Sequence, residues 1–127
     1  MMKKFFERLS RKKARNGKWK QFNKNAVLVS EGFYLNNLKH GRWKYFYDTG
    51  ELAIEEHYLH GKLHGDYRSY HINGSLMSEG HYASDMREGY FYVYDEHHNL
   101  VKEMQFVNNT LVKEEVADPQ RAQLKQA

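Results

Sequence analysis

The chain has 127 residues, 15% of them aromatic, with a single Pro and no Cys. This length holds one domain, the composition favours sheet over disorder, and the missing cysteines exclude disulfides and leave a zinc site only His and carboxylate ligands. The formal charge of +4 is sharply divided: residues 1–24 carry ten Lys or Arg against one acid, a net of +9, and residues 25–127 carry ten against fifteen, a net of −5.

The basic surplus begins with an arm, residues 1–16. Over residues 2–15, Met2, Phe5, Phe6 and Leu9 fall on one side of a helix and Lys and Arg cover the rest, which predicts a short basic amphipathic helix. Lys3, Lys4, Phe5, Phe6, Arg8, Arg11, Lys12, Lys13 and Arg15 are its candidate contacts with an anionic membrane surface. Each base there would contribute ~1 kcal/mol, with the two Phe rings anchored in the interface. The same segment also reads as a cap on the domain that begins at Gly17, or as a docking segment for an acidic protein. Nucleic acid is the least supported partner, because the rest of the chain has no basic surface interleaved with aromatics. No stretch reaches the ~18 apolar residues of a membrane span and none resembles a signal peptide, so the expected location is the cytoplasm, with the arm allowing a peripheral place at the inner membrane.

From Gly17 to Val112 the chain repeats a 24-residue unit four times: Gly17–His40, Gly41–His64, Gly65–Glu88 and Gly89–Val112. Gly opens each unit. The third place is Trp19, Trp43, Tyr67 or Phe91, and the sixth is Phe22, Phe46, Tyr70 or Tyr94. Leu28, Leu52, Leu76 and Leu100 hold the twelfth place, Glu31, Glu55, Glu79 and Glu103 the fifteenth, and Tyr34, Tyr58, Tyr82 and Phe106 the eighteenth. A period of this length marks an array in which each unit buries its face only against its neighbours. In the second unit, two runs of aromatic and aliphatic residues flank Asp48-Thr49-Gly50-Glu51, which predicts a β-hairpin.

Pairing Tyr47 with Leu52 sets Phe46 opposite Ala53, Lys44 opposite Glu55 and Trp43 opposite Glu56. Carried through the array, this register predicts three ion pairs, Lys20–Glu31, Lys44–Glu55 and Arg68–Glu79. It sets Trp19 and Tyr67 opposite Gly32 and Gly80, where a missing side chain leaves room for a ring. The second half of each unit returns the chain to the next hairpin. The expected fold is all-β: an elongated, single-layer antiparallel sheet of four stacked hairpins, eight strands, with one aromatic and one charged face and short helices at the ends of the chain. In the tail, residues 113–127, Asp118-Pro119 has the N-cap and first-turn Pro of a helix start, placed to cover the last edge strand.

The pattern G-x-W-x-x-F/Y, x-N/T-G-x-L, E-x-x-Y and G-K-x-H-G over residues 17–112 resembles a MORN repeat, and more closely the bacterial YwqK-type antitoxin-like variant. The resemblance implies stacked β-hairpins that serve as a scaffold for protein partners or as a membrane-proximal module. Only the second unit has Gly at all three family places, Gly41, Gly50 and Gly61. Ala26, Asn37, Asp85, His98 and Asn109 depart from the pattern.

Catalytic chemistry finds little support. Histidines that share a repeat place, such as His40 and His64, lie two strands or ~10 Å apart, too far to share a metal ion. A site from His60, His64 and Glu88 competes poorly with that reading, and the Glu row is spaced equally widely, with basic partners that lower its fitness as a general acid. No cofactor, metal or catalytic residue is assigned. The expected function is a non-catalytic scaffold that binds a protein through the aromatic face or the edge of its sheet. Its candidate residues are Trp19, Trp43, Tyr45, Tyr47, Tyr58, Tyr67, Tyr82, Tyr90, Phe91 and Tyr92, aromatics being the side chains most often energetic at interfaces. The alternatives are a peripheral membrane module held by the arm and a neutraliser of a toxin.

Overall fold

A computed structural model describes residues 14–118. They form one antiparallel sheet of eleven strands. These are β1 (Gly17–Phe22), β2 (Leu28–Leu35), β3 (Leu38–Phe46), β4 (Leu52–Leu59), β5 (Lys62–Leu63), β6 (Gly65–Tyr70), β7 (Leu76–Ala83), β8 (Met86–Arg87), β9 (Gly89–Tyr94), β10 (Leu100–Val107) and β11 (Thr110–Val116). The order β1-β2-β3-β4-β6-β7-β9-β10-β11 follows the chain, while the two-residue β5 and β8 pair with β4 and β7. The four hairpins of the repeat are therefore present, in a sheet without crossovers.

Two kinds of turn alternate along it. Within each unit the N–H of Ala26, Gly50, Gly74 or His98 donates back to the carbonyl of Asn23, Tyr47, His71 or Asp95. Those four donor residues all have positive φ, from 61° at Ala26 to 94° at Gly50. Between units, two consecutive left-handed residues make each turn: Asn36-Asn37, His60-Gly61, Ser84-Asp85 and Asn108-Asn109. That is the signature of a tight two-residue hairpin whose twist matches its strands. The second residue of each tight turn also donates its N–H to a carbonyl 22 residues earlier, at Arg15, Lys39, Leu63 and Arg87. Where Gly61 has no side chain, Asn37, Asp85 and Asn109 add a side-chain oxygen that accepts the N–H of Arg15, Leu63 and Arg87. The departures at the tight turns, Asn37, Asp85 and Asn109, are thus ties across the repeat, made by the two residue types that tolerate a left-handed backbone best.

The predicted register holds in the middle of each hairpin and shifts near its turn. Lys20↔Glu31, Lys44↔Glu55, Trp43↔Glu56, Arg68↔Glu79 and Tyr67↔Gly80 pair as expected. A bulge then sets Phe46 opposite Leu52 instead of Ala53, and the other units shift alike: Phe22↔Leu28, Tyr70↔Leu76 and Tyr94↔Leu100. One left-handed residue per turn lengthens one strand by a position, and the bulge absorbs it.

At the C-terminal end, Lys113–Val116 continues β11 instead of opening a tail, giving a ninth full strand beside the eight expected. β11 is the edge, and Lys113, Glu114 and Glu115 line it with charge, a common protection against edge-to-edge pairing. The helix predicted from Pro119 lies outside the described residues, as do residues 1–13 of the predicted arm helix. The described end of the arm, residues 14–16, has no helix; Arg15 is tied by its N–H to Asn37 Oδ1.

Candidate interaction surfaces

Alternation along the strands divides the side chains into two faces. On the ring face, the recurring third and eighteenth places meet edge to face across the units. Trp19 packs on Tyr34, Tyr34 on Trp43, and Trp43 on Tyr58, with centroids 5.5, 5.0 and 6.4 Å apart. A second series runs Tyr67–Tyr82–Phe91–Phe106 at 5.7, 5.6 and 5.3 Å. T-shaped contacts of this kind suit the ring quadrupole, adding about 0.5–1.5 kcal/mol beyond burial. Among the described residues, the buried apolar side chains lie in this row: Trp43, Phe91 and Phe106.

The glycines act one strand further along than the sequence suggests. Gly32 and Gly80 sit opposite Trp19 and Tyr67, yet the rings that fill their missing side-chain space are Trp43 and Phe91, from the following unit. In the second unit this place is Glu56, 9% exposed. The ring series is interrupted there, between Tyr58 and Tyr67. The Tyr58 hydroxyl donates to Glu56 Oε1 at 2.6 Å and lies 3.4 Å from the Tyr45 hydroxyl, which accepts from Lys39 Nζ. Burial first, and the Glu56 carboxylate second, raise the Tyr58 pKa far above its ordinary value. Tyr67 and Tyr82 are also raised, chiefly by burial, with the Glu56 charge contributing.

Basic side chains close over these rings. Arg15 lies 4.7 Å from the Trp19 centroid and 5.4 Å from that of Tyr34; Lys39 lies 4.6 Å from Trp43, and Arg87 4.2 Å from Phe106. Lys39 and Arg87 hold the twenty-third place of their units, and Arg15 stands one 24-residue period before Lys39. The recurrence is readable in the sequence, but it gains meaning only when the tight turn folds that place back over the rings.

Ten residues were expected at a partner surface, and the structure divides them. Trp19, Trp43, Tyr45, Tyr58, Tyr67, Tyr82 and Phe91 share the ring face, but Trp43 and Phe91 are buried and serve as core. Tyr47 lies at a turn and donates its hydroxyl to the Tyr70 carbonyl, binding one unit to the next; His71 Nε2 makes the equivalent contact with the Tyr94 carbonyl at 2.9 Å. Tyr90 and Tyr92 stack on each other at 6.1 Å on the opposite, charged face. Of the expected membrane contacts, only Arg15 is described, over Trp19 and Tyr34; Lys3, Lys4, Phe5, Phe6, Arg8, Arg11, Lys12 and Lys13 lie outside the described residues.

On the charged face one continuous cross-strand row runs Lys20, Glu31, Lys44, Glu55, Arg68, Glu79, Tyr92, Glu103, Glu115. Each Glu of the first three units thus has a base on both sides or a base and a tyrosine. Of the three expected ion pairs, Arg68–Glu79 forms, at 3.9 Å, but Glu55 is met at 3.5 Å by Arg42 and not by Lys44. Lys20–Glu31 is a register pair without a salt bridge, because an exposed lysine gains little by holding its side chain on one half-buried carboxylate.

His60, His64 and Glu88 serve the turns separately. His60 packs on His40 with centroids 5.3 Å apart, His64 Nδ1 accepts the N–H of Ser84, and Glu88 Oε1 accepts that of Asn108. Among the described residues, no group of three His, Asp or Glu is placed to hold a metal ion.

No curated protein matches the chain. Two adjacent segments, residues 39–60 and 63–84, match the MORN repeat variant family, each running from one tight turn to the next.

Proposed function

We propose that the chain is a non-catalytic, cytoplasmic scaffold that binds a protein partner on its ring face. MORN repeats are generally protein- or membrane-interaction modules. The observation that carries the reading is an open aromatic surface: Trp19, Tyr34, Tyr45, Tyr58, Tyr67 and Tyr82 remain half-buried, and among the described residues no second layer packs over them. Rings already ordered by edge-to-face packing lose little entropy on contact, and their hydroxyls offer polar handles. A toxin neutralised by this protein, in line with the YwqK-type resemblance, would be one such partner. The test is a photo-crosslinking amino acid placed in the full chain at Tyr45, Tyr67 or Lys113, followed by irradiation in native extract. A single protein captured at Tyr45 and Tyr67 but not at Lys113 supports the reading; no capture at either ring position refutes it.

A second reading, a peripheral module on an anionic membrane, draws on the charge at the β1 end. Arg15, Lys18, Lys20 and Lys24 extend the basic arm, with no acid among residues 14–24. It requires the full chain to sediment with anionic but not neutral vesicles, and to be released by salt.

A further inference from the structure

The charged face has its own polarity. The cross-strand row starts with Lys20 at the β1 end, alternates in sign as far as Glu79, and finishes with Glu103 and Glu115 at the β11 end. In the last full unit, Tyr90 and Tyr92 take the places of Lys18 and Lys20, Arg42 and Lys44, and Asp66 and Arg68. Two shallow depressions mark the face. One, at the β1 end, is lined by Lys18, Lys20, Glu31, Phe33 and Lys44; the other, over β6, β7 and β9, by Asp66, Arg68, Glu79, Tyr90 and Tyr92. Each holds an exposed ring, Phe33 at 40% and Tyr90 at 48% exposure.

We propose that this face is an interface between two copies of the chain. The copies stack face to face about a two-fold axis lying in the interface, parallel to the strands and between β4 and β6. Under that operation β1 lies over β10 of the second copy, β2 over β9, β3 over β7 and β4 over β6. Lys20 then meets Glu103 of the second copy, Lys44 meets Glu79, and Glu55 meets Arg68, while Glu31 faces the Tyr92 hydroxyl. In the neighbouring row, Phe33 falls on Tyr90, His57 on Asp66 and Arg42 on His81.

No like charges meet in the row from Lys20 to Glu103. Displacing one copy by a strand in either direction brings Glu31 over Glu103 or over Glu79, so the alternation both attracts and sets the register. Sheets stacked ~10 Å apart leave the depth that paired Lys and Glu side chains fill. Eight overlapping strands, about six residues long, cover roughly 750 Å² per copy, close to the ~800 Å² of a standard interface. The two ring faces point outward, so the dimer presents two identical partner surfaces, and it forms whether or not those surfaces are used.

The test is sedimentation equilibrium of the full chain with Lys20→Glu, Glu103→Lys and the two combined, each checked for its sheet spectrum by circular dichroism. The expected result is a dimer at low salt that dissociates as salt rises. Each single reversal should weaken it about tenfold, because symmetry makes both changes twice, and the double reversal should restore it. A second measurement uses the absence of native cysteine. Phe33→Cys with Tyr90→Cys should give a covalent dimer with a short bis-maleimide, whereas either alone should not. Within one chain the two sites are five strands, about 24 Å, apart. A full chain that stays monomeric at low salt, a double reversal that fails to restore association, or crosslinking by a single Cys variant would overturn the proposal.

Discussion

Trp43 lies against the backbone of Gly32 so closely that a Cβ atom built on the glycine would sit 2.1 Å from the indole Cδ2. Phe91 stands in the same relation to Gly80, at 2.4 Å. Neither glycine is in the left-handed region, so the requirement is for space. Gly32→Ala should therefore cost about 3 kcal/mol, the upper part of the overpacking range, because the displaced indole is only 1% exposed. Urea unfolding measures this. An unchanged midpoint would mean that Trp43 packs elsewhere.

The turns predict substitutions that stabilise. Ala26 and His98 hold φ angles of 61° and 67° at the place where the middle units have Gly50 and Gly74. A side chain there costs of order 1 kcal/mol that glycine avoids. Ala26→Gly and His98→Gly should each raise stability by up to about 0.5 kcal/mol, after allowing for the greater freedom of glycine in the unfolded chain. Gly50→Ala should lower it by a similar amount. A thermal melt in which all three destabilise equally would deny the left-handed backbone at these places.

At the tight turns the sign reverses. Asn37 has φ 68°, and its Oδ1 also accepts the Arg15 N–H. Asn37→Ala loses both the tolerance and the bond, and should cost about 1–2 kcal/mol. Asn37→Gly keeps the backbone conformation found at Gly61 and should cost less than half as much. Comparing the two by chemical denaturation separates conformational preference from the hydrogen bond.

These turns also mark how far the sequence could be read. The period, the hairpins and the central register were visible because recurring residue types at fixed spacing leave few alternatives. Ala26, Asn37 and His98 read as weakened glycine places, since a backbone angle leaves no trace in a single residue's identity. The bulges moved Phe46 off Ala53 for the same reason. The aromatic surface was legible as composition but not as geometry: Trp43 and Tyr90 look equally available in the sequence, and only the strand alternation sends one into the core and the other to the charged face. Glu56 was missed, although it stands where two other units have Gly32 and Gly80. A lone acid at a ring position is the signal that could have found it.

The carboxylate of Glu56 and the burial of its neighbours also set a limit on the alkaline side. Burial first, and for Tyr58 and Tyr94 hydrogen bonds to Glu56 and Glu79, raise the pKa values of Tyr58, Tyr67, Tyr82 and Tyr94 in the folded chain. A raised phenol keeps its proton in the fold when the unfolded chain has lost it. The unfolded state then binds fewer protons, so stability is flat below about pH 10 and falls as pH rises above it. Tyrosine ionisation followed by ultraviolet absorbance should therefore show these four groups titrating together with loss of the sheet signal. Tyr58→Phe should make the decline less steep, while lowering stability at neutral pH because Glu56 loses the hydroxyl that it accepts from. A titration in which Tyr58, Tyr67, Tyr82 and Tyr94 ionise near pH 10, with the sheet intact, would show that these four rings are solvated.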